Sequence, residues 1–405
     1  MMKTVLVVLP LEPHPNGVGS QKRAASHISA LLAVAQVHLV VLDSDTTSSR
    51  SGDEELYAGC ESVAVVKYMK RSRRAVAPFP PFSILAELFD PTIKRRLPSH
   101  AQTREAFAKV VGHQIDTVLC FKVLGATIFD CAQKLLALNC GEKIVDFDDV
   151  ESLPDPTGTS MAGRGLEQSM VDRLIRVNQR RYEDHCLATY DAVWVCSDTD
   201  RRILVARQPK ADVQSIPNSV PLCKIVPRMT GAELSFLFVG KMSYSPNYEG
   251  MIWFCRHIWP RVKAVSEKKL TLTIVGFEPP ASIKALEMPG EIMVTGGVDS
   301  VAEYYGASDI VIAPIRSGGG TRIKILEAMS YQLPVISTTK GAEGIEVKPG
   351  MNIMIGDTPE AFAAACLELI ENAGRRLDIG LCGRHLIENK YSDNIISAVI
   401  KRAVQ

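Results

Sequence analysis

The run Val5-Leu6-Val7-Val8-Leu9 is unbroken apolar and is closed at once by Pro10. A strand with one wet face alternates polar and apolar residues; a continuous run belongs to a strand buried on both sides, as in a parallel sheet. A loop rich in glycine and proline follows. A helix is expected over 20–32 and a second strand over 37–42, which makes one βαβ unit. Strands over 118–121, 143–147 and 192–196, with a long helix over 170–187, continue the pattern. After Asn218 it starts afresh. Strands are expected over 236–239, 270–275, 292–295, 309–313, 334–337 and 352–355. Helices are expected over 249–265, 301–307, 321–331, 359–372, 375–388 and 394–403. The chain has 405 residues, more than one core usually holds. The reading is α/β, with two Rossmann-like doubly wound parallel-sheet domains: residues 1–224, then 225–385, with 386–405 as a terminal helix packing back on the first.

Lys and Arg total 46 against 45 Asp and Glu, so no bulk charge points to nucleic acid. The ten cysteines include no C-x-x-C pair and no zinc-like spacing, which suits reduced thiols and no metal site. The apolar start is too short, and too soon broken by prolines, for a secretory leader. No stretch has the length of a membrane span. A cytoplasmic location is expected. The basic run Lys67–Arg74, with Lys94, Arg95 and Arg96 beyond it, has two readings: a peripheral contact with the anionic inner face of the cell membrane, or a solvated loop.

The segment with the most chemistry runs from Arg316 to Glu327. Gly318, Gly319 and Gly320 stand between an expected strand and an expected helix beginning at Thr321. Glycines let backbone approach a ligand closely. A helix start offers free N–H groups and partial positive charge. Arg316, Arg322 and Lys324 add full charges. That combination suits a diphosphate without a metal. Glu327, one to two turns on, can accept hydrogen bonds from ribose hydroxyls or pair with Lys324 on the same helix.

Gly318-Gly319-Gly320-Thr321-Arg322-Ile323-Lys324-Ile325-Leu326-Glu327-Ala328-Met329, followed by Leu333-Pro334-Val335-Ile336-Ser337, resembles the donor-binding region of family-4-type retaining glycosyltransferases of the GT-B fold. Phe238-Val239-Gly240-Lys241, Pro246-Asn247-Tyr248-Glu249-Gly250, Val275-Gly276, Gly296-Gly297-Val298 and Gly341-Ala342-Glu343-Gly344 match the loops around it. Asp146–Ser152 and Ser197–Asp200 resemble a subgroup serving bacterial polysaccharide systems. The resemblance implies two such domains facing a central cleft. It implies Lys241 as a basic residue on the donor diphosphate, with Lys324 or Arg322 replacing a second basic residue that is Glu249 here. It implies Glu327 on the ribose, and Gly276 and Val298 against the base. The family carries a further glutamate, for the sugar, where this chain has Gly319; backbone of Gly318–Gly320 would serve instead.

In the first half, Gly17 and Gly19 open the first helix and resemble the family's glycine loop near the donor phosphates. Lys22 stands where a dinucleotide fingerprint needs its third glycine. Ser20 and Arg23 follow; Arg23 is either a contact for a phosphorylated acceptor or a surface arginine. The family's histidine after a middle strand is absent from Phe121-Lys122-Val123. Asp146, Asp148 and Asp149 read as acceptor contacts or as loop-fixing caps. As a rival they would hold a divalent ion under a diphosphate, although they lie in the half without the glycine loop. The expected function is transfer of a hexose from a nucleotide-diphosphate sugar, a co-substrate rather than a cofactor, to a glycan or lipid-linked acceptor. Lys241, Lys324 and Glu327 carry the chemistry. A two-lobed nucleotide-sugar epimerase and a solute-binding protein are the rivals.

Overall fold

The computed structural model describes residues 2–15, 17, 19–43, 54–67, 97–153, 166–225 and 233–405. The chain divides into two compact units, Met1–Pro217 with Ser397–Gln405, and Asn218–Ile396. The division falls ahead of the expected residue 224 for a physical reason. The Val220 N–H donates to the Tyr391 carbonyl, and the Asp393 N–H to that of Val220 (2.9 and 3.2 Å), tying the connecting segment to the second unit.

The first unit holds a seven-stranded sheet. Its strands are β1 (Lys3–Leu9), β2 (Ala35–Asp43), β3 (Ser62–Lys67), β4 (Ile115–Phe121), β5 (Cys140–Asp146), β6 (Ala192–Val195) and β7 (Val213–Ser215), in the order β3-β2-β1-β4-β5-β6-β7. All its pairings are parallel. Val5 to Leu9 have no exposed surface, as their unbroken apolar run requires. The second unit repeats the plan with β8 (Glu233–Val239), β9 (Lys269–Val275), β10 (Ile292–Gly296), β11 (Ile310–Ala313), β12 (Val335–Ser337) and β13 (Met354–Ile355). Its order is β10-β9-β8-β11-β12-β13, again parallel. In both sheets the strand order reverses beside the first strand of the unit, the place where parallel α/β sheets bind ligands at their carboxyl edge.

Some elements depart from expectation. Directly after β4 starts the helix Lys122–Leu136, an element not among those expected from the sequence. A side chain at 125 would press on the Val8 carbonyl oxygen at 3.0 Å, so the helix needs glycine in order to lie on β1. The expected helix over 249–265 runs from Ser245 to Val265 and widens to a π turn at Phe254–Ile258. Pro260 lacks the N–H that would close the regular ladder there. Of the basic run, only Lys67 is among the described residues, 3.4 Å from Glu12; the remainder, with Lys94 to Arg96, lies outside them. Among the described residues no helix is long and apolar enough to cross a membrane.

Candidate functional site

In the second unit the carboxyl ends of β8, β9 and β11 come together through glycines. A side chain at Gly276 would collide with the Gly240 carbonyl oxygen, and one at Gly250 would stand 2.5 Å from that of Pro314. A Cβ at Gly240 would stand 2.6 Å from the Lys324 Nζ. The small residues therefore bring three strand ends and one ammonium group into a single shallow bed.

Lys324 sits in the first turn of the helix Ile323–Ser330. Its Nζ donates to Asn247 Oδ1 (2.8 Å) and lies 4.1 Å from the centre of the Phe238 ring. Among the described residues no carboxylate forms an ion pair with it. Burial, then the positive charge of Arg322, hold its pKa well below the ordinary lysine value; Glu327 offsets only part. Asn247 also donates from Nδ2 to the Lys241 carbonyl (2.7 Å), so one amide ties both predicted basic residues. Asn247 was not singled out in the sequence; it is 7% exposed in the first turn of the helix Ser245–Trp253.

The glycine loop takes the expected form. Gly318 and Gly320 have φ of +85° and +76°, conformations that L residues avoid. Gly319 has no such need, and a Cβ there meets nothing within 4 Å. No side chain caps the helix that follows; the Ile323 N–H donates to the Thr321 carbonyl (3.1 Å) and the Ile325 N–H to that of Arg322 (2.9 Å). Thr321 lies partly exposed in this bend. Arg322 does not extend toward solvent. Its guanidinium donates to the carbonyls of Ser317 (3.0 Å), Gly318 (2.9 Å) and Gly319, so it clasps the loop. Arg316 turns its guanidinium over the Trp253 ring, 5.0 Å from the centre. Lys241 is half-exposed beside Glu278 (3.6 Å), a pair weak enough in water to exchange for a phosphate.

Glu327 is not paired with Lys324. Its Oε2 accepts from the hydroxyl of Tyr305 (3.0 Å). Tyr305 is fully buried in the helix Ala302–Ala307 and stacks on Tyr331 at 5.2 Å. Val298 packs against the same cluster. Tyr305 was not legible as part of the site, because it lies 22 positions from Glu327 in sequence.

The first unit gathers the other predicted residues. Gly17 and Gly19 precede or open the helix Gly19–Leu32. Ser20 Oγ donates to Asp148 Oδ2 at 2.5 Å. Arg23 is a correction to both sequence readings. It is neither at the surface nor open to an acceptor, being 3% exposed, with its Nε on Asp146 Oδ1 and Oδ2 (3.1 and 2.9 Å) and an NH group on the Ile216 carbonyl. Burial works against the Arg23 charge, but Asp146 and Asp148 raise its pKa above the ordinary value. Asp146 has no exposed surface and also accepts from the Asp148 N–H (2.9 Å). With both oxygens engaged, it is a fold-holding carboxylate rather than an acceptor or metal contact. His27 Nε2 lies 3.2 Å from it, and burial followed by the charge of Arg23 lowers the His27 pKa well below the usual imidazole value. Lys122 and Asp148 both have left-handed backbone, φ 58° and 61°, and their side chains meet at 3.4 Å. Asp149 is partly exposed. Among the described residues no group of three or more His, Cys, Asp or Glu is placed to hold a metal.

Residues 233–372 match the family model described as glycosyl transferases group 1. A protein in the cps region of Klebsiella pneumoniae is 26% identical over 174 residues, 41% of this chain and 45% of that protein, so the match spans under half of the relative. Solved structures share the fold over all of this chain. A sucrose-phosphate synthase from Thermosynechococcus elongatus has a TM-score of 0.69 at 16% identity over 98% of its own length. The Anabaena protein HepE, solved with UDP and glucose, has a TM-score of 0.62 at 14% identity over 99% of its length. Two parallel-sheet units, a glycine loop opening onto a cationic helix, and these likenesses agree: the chain has the GT-B fold, and its residues 233–372 are similar to the glycosyl transferases group 1.

Proposed function

We propose that the chain transfers a hexose, with retention and without a metal ion, from a nucleoside-diphosphate sugar to a glycan or lipid-linked acceptor. The observation that carries this is the buried Lys324 amine, held against Phe238 and Asn247 and only partly offset by Glu327, with no carboxylate in ion-pair contact among the described residues. An amine whose charge the fold disfavours gains most from an incoming anion. The leaving diphosphate gathers charge as the sugar–oxygen bond breaks. Lys324, the amides of the Gly318–Gly320 bend and Lys241, once released from Glu278, stabilise that charge. Glu327, aimed by Tyr305, holds the ribose. A donor phosphate oxygen takes the acceptor proton, since no carboxylate of the second unit is assigned as a base. Asp149 remains the candidate on the acceptor side.

The HepE complex favours a uridine donor, and the cps-region relative favours a polysaccharide acceptor at the inner face of the cell membrane, which the run Lys67–Arg74 would serve. Thermal-shift titration with UDP-, GDP-, ADP- and CMP-sugars tests the reading. One diphosphate series should stabilise the protein, and turnover should survive EDTA. Loss of turnover restored by Mn²⁺ would overturn the metal-free mechanism. Absence of any nucleotide effect would overturn the donor site.

Tyr305→Phe removes a single hydroxyl from the Glu327 carboxylate. Donor affinity should fall about tenfold, roughly 1.4 kcal/mol and near the low end of what a hydrogen bond to a charged group is worth, with kcat little changed. Replacement of a ribonucleotide donor by its 2′-deoxy analogue should cost the variant less than the wild type. Equal losses in both proteins would sink the positioning role.

A further inference from the structure

Among the described residues, left-handed backbone without glycine occurs at Lys122, Ala137, Asp148, Glu278 and Gln332. Ala137 and Gln332 end helices, an ordinary place for that conformation. Lys122 (φ +58°) and Asp148 (φ +61°) instead turn the chain just past the carboxyl ends of the paired strands β4 and β5. Across Asp148 the Asp149 N–H donates to the Phe147 carbonyl (2.7 Å), closing a three-residue turn of the rare, strained kind. Glycine would make both corners without strain. Turning the chain therefore does not explain these residues, and their side chains do. Lys122 Nζ lies 3.4 Å from Asp148 Oδ2 and 3.7 Å from Glu151 Oε1. Ser20 Oγ donates to Asp148 Oδ2 (2.5 Å), and the Asp148 N–H to Asp146 Oδ1 (2.9 Å), so the corner is pinned from three sides. Strain that the surroundings enforce in this way marks a functional position.

Asp146 and Asp148 are buried, whereas Asp149 is partly exposed. Burial works against the Lys122 charge, but Asp148, Glu151 and Asp149 hold its pKa above the ordinary lysine value. Burial, then the charge of Asp149, pushes the Cys196 thiol up. Lys122 follows β4 and Cys196 follows β6, so the Asp149 carboxylate stands over the carboxyl edge of the first sheet between them. We propose that Lys122 is a positioning residue for the acceptor: through Asp148 and Glu151 it holds the corner that sets Asp149 to accept a hydrogen bond from an acceptor hydroxyl. The inference rests on the transfer reading given above and adds the residue that builds its acceptor side. It also narrows the acceptor. One ammonium faces three carboxylates here, and a corner with net negative charge accepts from hydroxyls and repels phosphate. The acceptor therefore presents a neutral sugar to this edge.

The test reads three properties of each variant: the thermal midpoint, the affinity for UDP (or whichever nucleoside diphosphate the wild type prefers) by calorimetry, and transfer of labelled sugar from that nucleotide's sugar to the total lipid and glycan extract of the source cells. Lys122→Gly combined with Asp148→Gly should lower transfer about tenfold or more through a raised acceptor KM, as loss of a hydrogen bond to a charged group does. UDP affinity should be unchanged, and the midpoint no lower than that of the wild type, because both corners gain the residue their φ favours. Asp149→Asn should give the same loss of transfer and add little to it when combined with Lys122→Gly, since the two then act on one contact. Lys122→Arg keeps the charge and should recover most of the transfer that Lys122→Gly loses. Normal transfer by the double-glycine variant overturns the positioning role and leaves the transfer reading standing. A loss of transfer matched by weaker UDP binding or a lower midpoint overturns it too, since the pair would then be holding the fold. Additive losses from Lys122→Gly and Asp149→Asn overturn the route through Asp149. A wild type that binds UDP and transfers nothing removes the transfer reading and this inference together.

Discussion

Lys324→Met lowers donor affinity about 30- to 150-fold, the ~2–3 kcal/mol of a charge-assisted contact to phosphate, and leaves the thermal midpoint no lower than that of the wild type. The second half follows from the buried charge. The folded-state pKa of Lys324 lies well below its unfolded value. Between the two pKa values the unfolded chain binds the proton that the fold rejects, so stability rises with pH through that window. Below it the protonated lysine costs the fold stability, and methionine of similar shape removes the cost. Binding runs the other way. A diphosphate raises the Lys324 pKa, so donor binding takes up protons and weakens as pH rises through the same window. Calorimetry in buffers of different ionisation enthalpy should show net uptake in the wild type and none from this site in Lys324→Met. A variant that binds donor normally, or a wild type without proton uptake, would remove Lys324 from the diphosphate.

Asp146→Leu should cost the first unit about 3–5 kcal/mol, because it strands the Arg23 guanidinium without its counter-charge. Arg23→Met combined with Asp146→Leu should recover most of that loss, since two apolar residues then replace a desolvated pair. Urea unfolding of both variants checks this. A mild single variant would mean that Arg23 is served by water or other partners. A double variant as weak as the single would show Asp146 acting through the Asp148 backbone instead, where it holds a left-handed residue in place.

These two residues mark how far the sequence could be read. Lys324 was singled out because its signals are local: three glycines, a helix start and a cation within one turn. Arg23 was read as an acceptor contact or a surface arginine, and Asp146 as an acceptor contact or a loop-fixing cap, because each stands at a strand end or near a helix start, where ligands bind. Their separation of 123 positions hid that they bind each other. Asn247 and Tyr305 were missed for a related reason. Each looks ordinary in its own segment and gains its meaning from a neighbour on another strand or helix.

The sequence by itself determined the two parallel sheets and the glycine-cation segment, because hydrophobic period, glycine φ and helix-end charge act over a few residues. Tertiary structure alone decided which charges remain available. Arg322 is spent on its own loop, Arg316 on Trp253, and Arg23 on Asp146, whereas Lys324 is left facing an amide and a ring. Burial and counter-charge decide whether a cation is structural or poised for an anion, and both are set by residues far away in the chain.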